Sequence, residues 1–269
     1  MENNTPNIGA IIPVRMASER LPKKALLNLI DQPLIYHLLD RVFASKYITD
    51  KKQIVVCTTK EKTDDELVTT IENYGASIFR GDTNDILKRF YDAINQYDFD
   101  YVIQIDGDDI TSEPIYMDLT MDKLLGAKDI DVVSVQGLPL GVATKSFSRQ
   151  AIQKVIDVYT SKENDTGFAS YLTNDNICNN AIINPISDSD KCQDLRLTLD
   201  YQEDLDLFEA IFKELYVPGK IFHIADIVNL VKKNPCLIKI NSELNEEYWK
   251  RWHAKQTFFY SEEGEIKKL

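Results

Sequence analysis

The segment Pro13-Val-Arg-Met-Ala-Ser-Glu-Arg-Leu-Pro-Lys-Lys24 gathers Arg15, Arg20, Lys23 and Lys24 around two small residues and a second proline. It follows the short apolar run Ile8–Val14, which is bounded by turn signals and suits a buried strand. Open α/β sheets bind ligands at the carboxyl ends of their strands. A cationic loop there can wrap a polyphosphate, because guanidinium forks engage two oxygens at once and lysine acts as a point charge. The plain alternative is a solvated basic surface loop. Neither GxGxxG nor GxxxxGK[ST] occurs, so the dinucleotide and P-loop readings fail.

A second set of candidates is acidic. Asp106, Asp108 and Asp109 stand where the apolar run Tyr101–Ile105 meets a turn, and Asp200 ends the run Arg196–Leu199. A nucleoside triphosphate carries about four negative charges, and Mg²⁺ held by one or two carboxylates is the usual way to neutralise them. Strands distant in sequence can bring such carboxylates to one sheet edge. Against this, a D-G-D turn is often only a turn, and Asp200 is equally placed to cap the helix after it. Glu203 and Asp204 read as first-turn helix acids. His37, His223 and His253 are scattered and read as packing or surface residues, with no Ser-His-Asp or Cys-His pattern.

Positioning these groups requires alternating strands and helices. Strands are expected at 53–57, 77–79, 101–105, 131–135, 144–147, 180–184 and 196–199. Helices are expected at 34–43, 64–74, 82–97, 113–125, 149–159, 203–215 and near 224–231, each with apolar residues at helical spacing. This alternation predicts an α/β fold with a mostly parallel, helix-covered sheet. Residues 161–167 read as loop. One domain over 1–240 and a C-terminal appendage over 241–269 are expected. The appendage is charged but carries Trp249, Trp252, Phe258, Phe259 and Tyr260.

The 269 residues are 43% hydrophobic and 28% charged, as in a soluble globular chain, and the net charge is −12. That field argues against nucleic-acid and anionic-membrane partners, while leaving room for a local cationic pocket. Cys57, Cys178, Cys192 and Cys236 form no CxxC and no metal-like spacing, so free thiols in a reducing compartment are expected. The polar start shows no signal peptide, and no apolar run approaches the ~20 residues of a membrane span. The expected location is cytoplasmic.

The cationic segment resembles the opening signature P-x-R-x-x-S-x-R-L-P-x-K of the CTP-dependent cytidylyltransferases. These include the 3-deoxy-manno-octulosonate, acylneuraminate and spore-coat polysaccharide branches. Pro13, Arg15, Ser18, Arg20, Leu21, Pro22 and Lys24 match, and Lys23 replaces the usual glycine. Gln32-Pro33-Leu34-Ile35 resembles the family's G-K-P-L/M-I segment. Arg80–Arg89 resembles its R-G-x-x-x-D-V-L-x-R segment, which lies beside the nucleotide. Asp106-Gly107-Asp108 resembles its Q/T-G-D metal turn, with Asp106 departing from the usual Gln or Thr. Leu197–Asp204 resembles its V-D-T-P-E-D-L motif.

The resemblance implies a nucleotide-diphospho-sugar transferase-like fold and transfer of CMP from CTP to a small acidic sugar, with pyrophosphate released. It implies Pro13, Arg15, Ser18, Arg20, Lys24, Arg80 and Asp106 at the nucleotide and Asp108 and Asp200 as Mg²⁺ ligands. Arg15, Lys24, Asp108 and Asp200 would carry catalysis. Leu140–Ser148 resembles the family's G-L-D-V-E-V-F-S strand, but Ala143 and Lys145 replace acids, and Asp165–Tyr171 replaces E-H-V-T-P-Y. Lys145 would suit an acceptor bearing a carboxylate or phosphate; its plain alternative is a solvent-facing strand lysine. A homodimer is expected, through the second half of the chain and the aromatic tail, with the tail folding back on its own domain as the competing arrangement. The competing activities are a sugar-1-phosphate nucleotidyltransferase using another NTP, whose G-G-x-G-T-R-x-x-P opening is absent, and a non-catalytic nucleotide-binding protein.

Overall fold

In the computed structural model, strand β1 (Ile8–Pro13) lies between two parallel partners, β2 (Ile54–Thr59) and β4 (Tyr101–Gln104). Strand β3 (Ser77–Gly81) extends the parallel set beyond β2. On the other side β6 (Lys145–Ser148) runs antiparallel to β4 and to β5 (Val132–Val135), and β7 (Asn180–Ile183) closes the edge parallel to β5. The seven-stranded order is β3-β2-β1-β4-β6-β5-β7, a mostly parallel sheet as expected. The structure describes residues 5–18, 20–161, 164, 167–255, 258–262 and 264–269, without the side chains at 252, 254 and 255. Asp165, Thr166 and the Trp252 side chain therefore lie outside the described residues.

Strand side chains alternate between faces, and each face of this sheet has its own core. Ala10, Ile12, Ile54 and Val56 face one cluster, covered by α1 (Leu34–Phe43), α2 (Asp65–Tyr74), α4 (Pro114–Gly126), α7 (Gln202–Leu215) and α8 (Ile224–Lys233). Ile11, Val55 and Cys57 face the other, covered by α3 (Ile86–Gln96), α5 (Arg149–Val158) and the short α6 (Ala169–Leu172). Such two-sided burial explains why the central strands read as continuous apolar runs.

Two segments differ from expectation. Arg196–Leu199 is extended but joins no sheet; a single bridge ties Arg196 to Leu140, and the Leu197 N–H donates to the Leu140 carbonyl at 2.7 Å. It pairs with a loop because Gly141 lets that loop press close. Gly141 has φ +88°, and a Cβ there would stand 2.3 Å from the Leu197 backbone.

The tail is also structured. It forms helix α9 (Leu244–Lys255) and a hairpin of β8 (Phe259–Glu262) with β9 (Glu265–Lys268). Phe258 and Tyr260 are buried in the α3–α5–α6 core, and the Phe259 carbonyl accepts from Tyr171 Oη at 2.8 Å. Those two aromatics are covered by their own chain. Among the described residues no helix is long and apolar enough to cross a membrane.

Candidate active site

A cleft of about 1310 Å³ opens where β1 and β4 end. Pro13, Arg15, Ser18, Arg20, Lys24, Asp106, Asp108, Lys145 and Asp200 all line it. Arg80 does not. Its guanidinium is spent on the Thr59 and Glu61 carbonyls, at 2.9 and 2.7 Å, and on Asp65 at 2.6 Å. It braces the start of α2, outside the cleft lining, where the sequence placed it at the nucleotide. Arg89, from the same segment, does line the cleft, but it is buried and donates to the Asp82 and Thr83 carbonyls at 2.8 and 3.0 Å.

The cationic loop is held by a residue that sequence reasoning missed. Asp64, 1% exposed, accepts from the Met16 N–H at 2.9 Å with one oxygen. Its other oxygen accepts from Thr58 Oγ1 at 2.8 Å and from the Thr59 N–H and hydroxyl at 3.1 and 2.5 Å. Burial opposes its charge, but these hydrogen bonds outweigh burial and hold its pKa below the ordinary aspartate value. Within the loop, Ser18 Oγ accepts from the Leu21 N–H at 3.4 Å. Lys23 takes a left-handed conformation with φ 55°, which explains physically why glycine suits the position. Its amine pairs with exposed Glu66 at 2.6 Å and lies outside the cleft lining, so its extra charge does not serve the loop.

The acidic turn sits against the same loop. A Cβ on Gly107 would stand 2.6 Å from the Pro13 carbonyl oxygen, so glycine permits the contact between the turn and the loop. Gln104 Nε2 donates to Asp106 at 2.9 Å. Burial, opposed by Lys145 and reinforced by Asp108, raises the Asp106 pKa. Burial and the charges of Asp108 and Asp106 hold Asp109 well above the ordinary range.

The Leu199 N–H donates to the Asp108 carbonyl at 2.9 Å, which brings the neighbouring Asp200 to the turn. Lys24 Nζ then lies between the two carboxylates, 2.9 Å from Asp108 and 3.3 Å from Asp200, and donates to the Leu199 carbonyl at 2.5 Å. Despite burial, these two acids raise its pKa. Asp200 also pairs with Arg20 at 2.6 Å and Arg196 at 3.0 Å. Burial disfavours its charge, but Lys24, Arg20 and Arg196 together keep its pKa below the ordinary value. Lys145 lines the cleft from β6, where its charge acts on Asp106 and Asp109.

The donor set suits a hard divalent cation: two carboxylates, one half-exposed, meeting at a single point beside cationic side chains. Among the described residues no group of three or more His, Cys, Asp or Glu could hold a metal unaided. A Mg²⁺ there would take its remaining ligands from phosphate oxygens and water, as Mg²⁺ commonly does.

A helix-covered sheet whose strand ends set a cationic loop beside paired carboxylates is the arrangement of a nucleotidyltransferase. The chain belongs to the cytidylyltransferase family: the model described as Cytidylyltransferase matches residues 9–157. The chain is 30% identical over 241 residues to an uncharacterized protein of Methanocaldococcus jannaschii, covering 89% of this chain and 96% of that one. It is 26% identical over 169 residues to the 3-deoxy-manno-octulosonate cytidylyltransferase of Sodalis glossinidius, 61% of each. The solved structure of a cytidylyltransferase from Leptospira borgpetersenii superposes with a TM-score of 0.78 at 25% identity, covering 87% of this chain and 97% of that one.

Proposed function

We propose that this chain transfers CMP from CTP to an acidic sugar and releases pyrophosphate. The observation that carries the reading is the meeting of Asp108 and Asp200 on Lys24, with Arg15 and Arg20 in the same cleft. Arg15, Arg20 and Lys24 bind the β- and γ-phosphates, and Ser18 and Pro13 shape the loop around them. Asp108 and Asp200 would hold Mg²⁺, which would neutralise charge on the attacked α-phosphate and the leaving pyrophosphate. The acceptor hydroxyl oxygen bonds to the α-phosphorus as the bond to the pyrophosphate oxygen breaks, and the hydroxyl proton passes to solvent. Catalysis is positioning and electrostatics, with no covalent nucleophile. Lys145 receives the carboxylate of the acceptor. The name of the Sodalis relative and the loss of acids at Ala143 and Lys145 support a sugar acid.

The test is pyrophosphate release with Mg²⁺, each NTP in turn, and a panel of sugar acids led by 3-deoxy-manno-octulosonate and N-acetylneuraminate. Release confined to CTP with a sugar acid is expected; release with a sugar 1-phosphate and another NTP would overturn it. Homodimer formation belongs to this proposal on family resemblance, and light scattering reads it directly. A mass near the 30.9 kDa of one chain rejects it.

A further inference from the structure

Helix α9 lies outside the residues matched by the family model, yet it contributes Tyr248, Trp249 and Arg251 to the cleft. Trp249 is 46% exposed but has ring neighbours: the Tyr248 ring stands 5.2 Å away at 82°, and the His253 ring 6.4 Å away. Tyr248 is itself stacked on the buried Arg196 guanidinium at 4.9 Å. Arg251 donates to Tyr201 Oη at 2.7 Å, and its guanidinium and that of Arg20 lie 5.7 and 5.0 Å from the centre of that ring. These contacts set the helix beside Asp200, with Arg251 3.9 Å from its carboxylate.

Its side of the cleft is also fixed. Tyr248 rides on Arg196, whose backbone is bridged to Leu140 in the loop that runs into β6. Lys145 is the first residue of β6 and lines the same cleft. Trp249, next to Tyr248, and Lys145 are thereby tied to the same 138–143 loop, which lines the cleft with them.

We propose that α9 is the acceptor-facing wall of the site, with the Trp249 indole packing on the ring face of a sugar acid whose carboxylate meets Lys145. The assignment rests on the acidic-sugar reading above. A sugar ring offers a C–H face to an aromatic platform and polar edges to the remaining groups, and rigid aromatic walls with a few placed charges define such pockets. Trp249 is a specificity residue in this arrangement, and Arg251 a positioning residue that acts through Tyr201.

The experiment uses the full chain with Trp249→Ala and Trp249→Phe. It reads steady-state pyrophosphate release with CTP, Mg²⁺ and 3-deoxy-manno-octulosonate or N-acetylneuraminate, and CTP affinity by calorimetry. Trp249→Ala should raise the acceptor KM about tenfold and keep the CTP Kd within about twofold, and Trp249→Phe should restore most of the loss. An unchanged acceptor KM in Trp249→Ala overturns the wall. A weakened CTP Kd overturns it too, by making Trp249 a nucleobase platform. A wild type that binds CTP but turns over neither sugar acid overturns the acceptor class, and this ligand with it, before any substitution is made.

Discussion

Arg196 and Asp204 form a two-point ion pair with both side chains fully buried, at 2.9 and 3.2 Å. Asp204 also accepts from the backbone N–H groups of Asp200 and Tyr201, at 2.8 and 3.0 Å, and from Asn241 at 2.8 Å. One carboxylate thus fixes the backbone that presents Asp200. Asp204→Ala leaves the buried Arg196 guanidinium with Asp200 alone and takes the acceptor from three further donors, so a loss of about 3–5 kcal/mol is expected in urea unfolding. A loss below about 1 kcal/mol would assign the pair no structural role.

Asp108→Asn and Asp200→Asn should each cut turnover by about 100-fold or more with the far-ultraviolet circular dichroism retained, because a lost metal ligand removes several kcal/mol of transition-state stabilisation. Near-normal rates in both variants at saturating Mg²⁺ would sink the metal assignment.

Replacing Arg15 or Lys24 by Ala should weaken CTP binding by about 1.5–3 kcal/mol, the range for hydrogen bonds to charged groups, with a much smaller effect on the acceptor. Calorimetric titration showing unchanged CTP affinity would return the loop to a solvated surface.

Asp64 gives the fold a pH signature. Its folded pKa lies below the ordinary value, so its stabilisation is complete above about pH 4 and is lost as pH falls through the depressed value. Asp64→Asn should therefore cost about 1–3 kcal/mol at pH 7 and much less near pH 2. Urea unfolding at both pH values checks this; an equal gap at the two would locate the effect in packing rather than charge.

The phosphate loop and the acidic turn were legible because their charges lie close together in sequence, where composition alone marks them. Asp64 was not, since Met16 becomes its neighbour only when β1 and β2 pair. Arg80 and Arg89 bracket one motif, and only the tertiary contacts distinguish the brace of α2 from the cleft wall. Arg196–Leu199 carries the pattern of a strand, but its backbone partner is a loop opened by Gly141 rather than a sheet edge. The role of α9 was hidden for a different reason. Its aromatics sit among charges without a helical apolar stripe, because the helix covers a polar cleft instead of a core.

The bond between Lys24 and Asp200 spans 176 positions of the chain. Chains emerge from the ribosome N-terminus first, at about 5–20 residues per second. The strands β1 to β4, with the whole cationic loop and the acidic turn, are therefore synthesised well before the second carboxylate exists. A nascent chain halted near residue 160 holds the positive half of the site with nothing opposite Lys24 but Asp108. The carboxylate pair proposed for Mg²⁺ should consequently be completed late in synthesis, in a step set by the arrival of residues 196–204 rather than by formation of the parallel sheet.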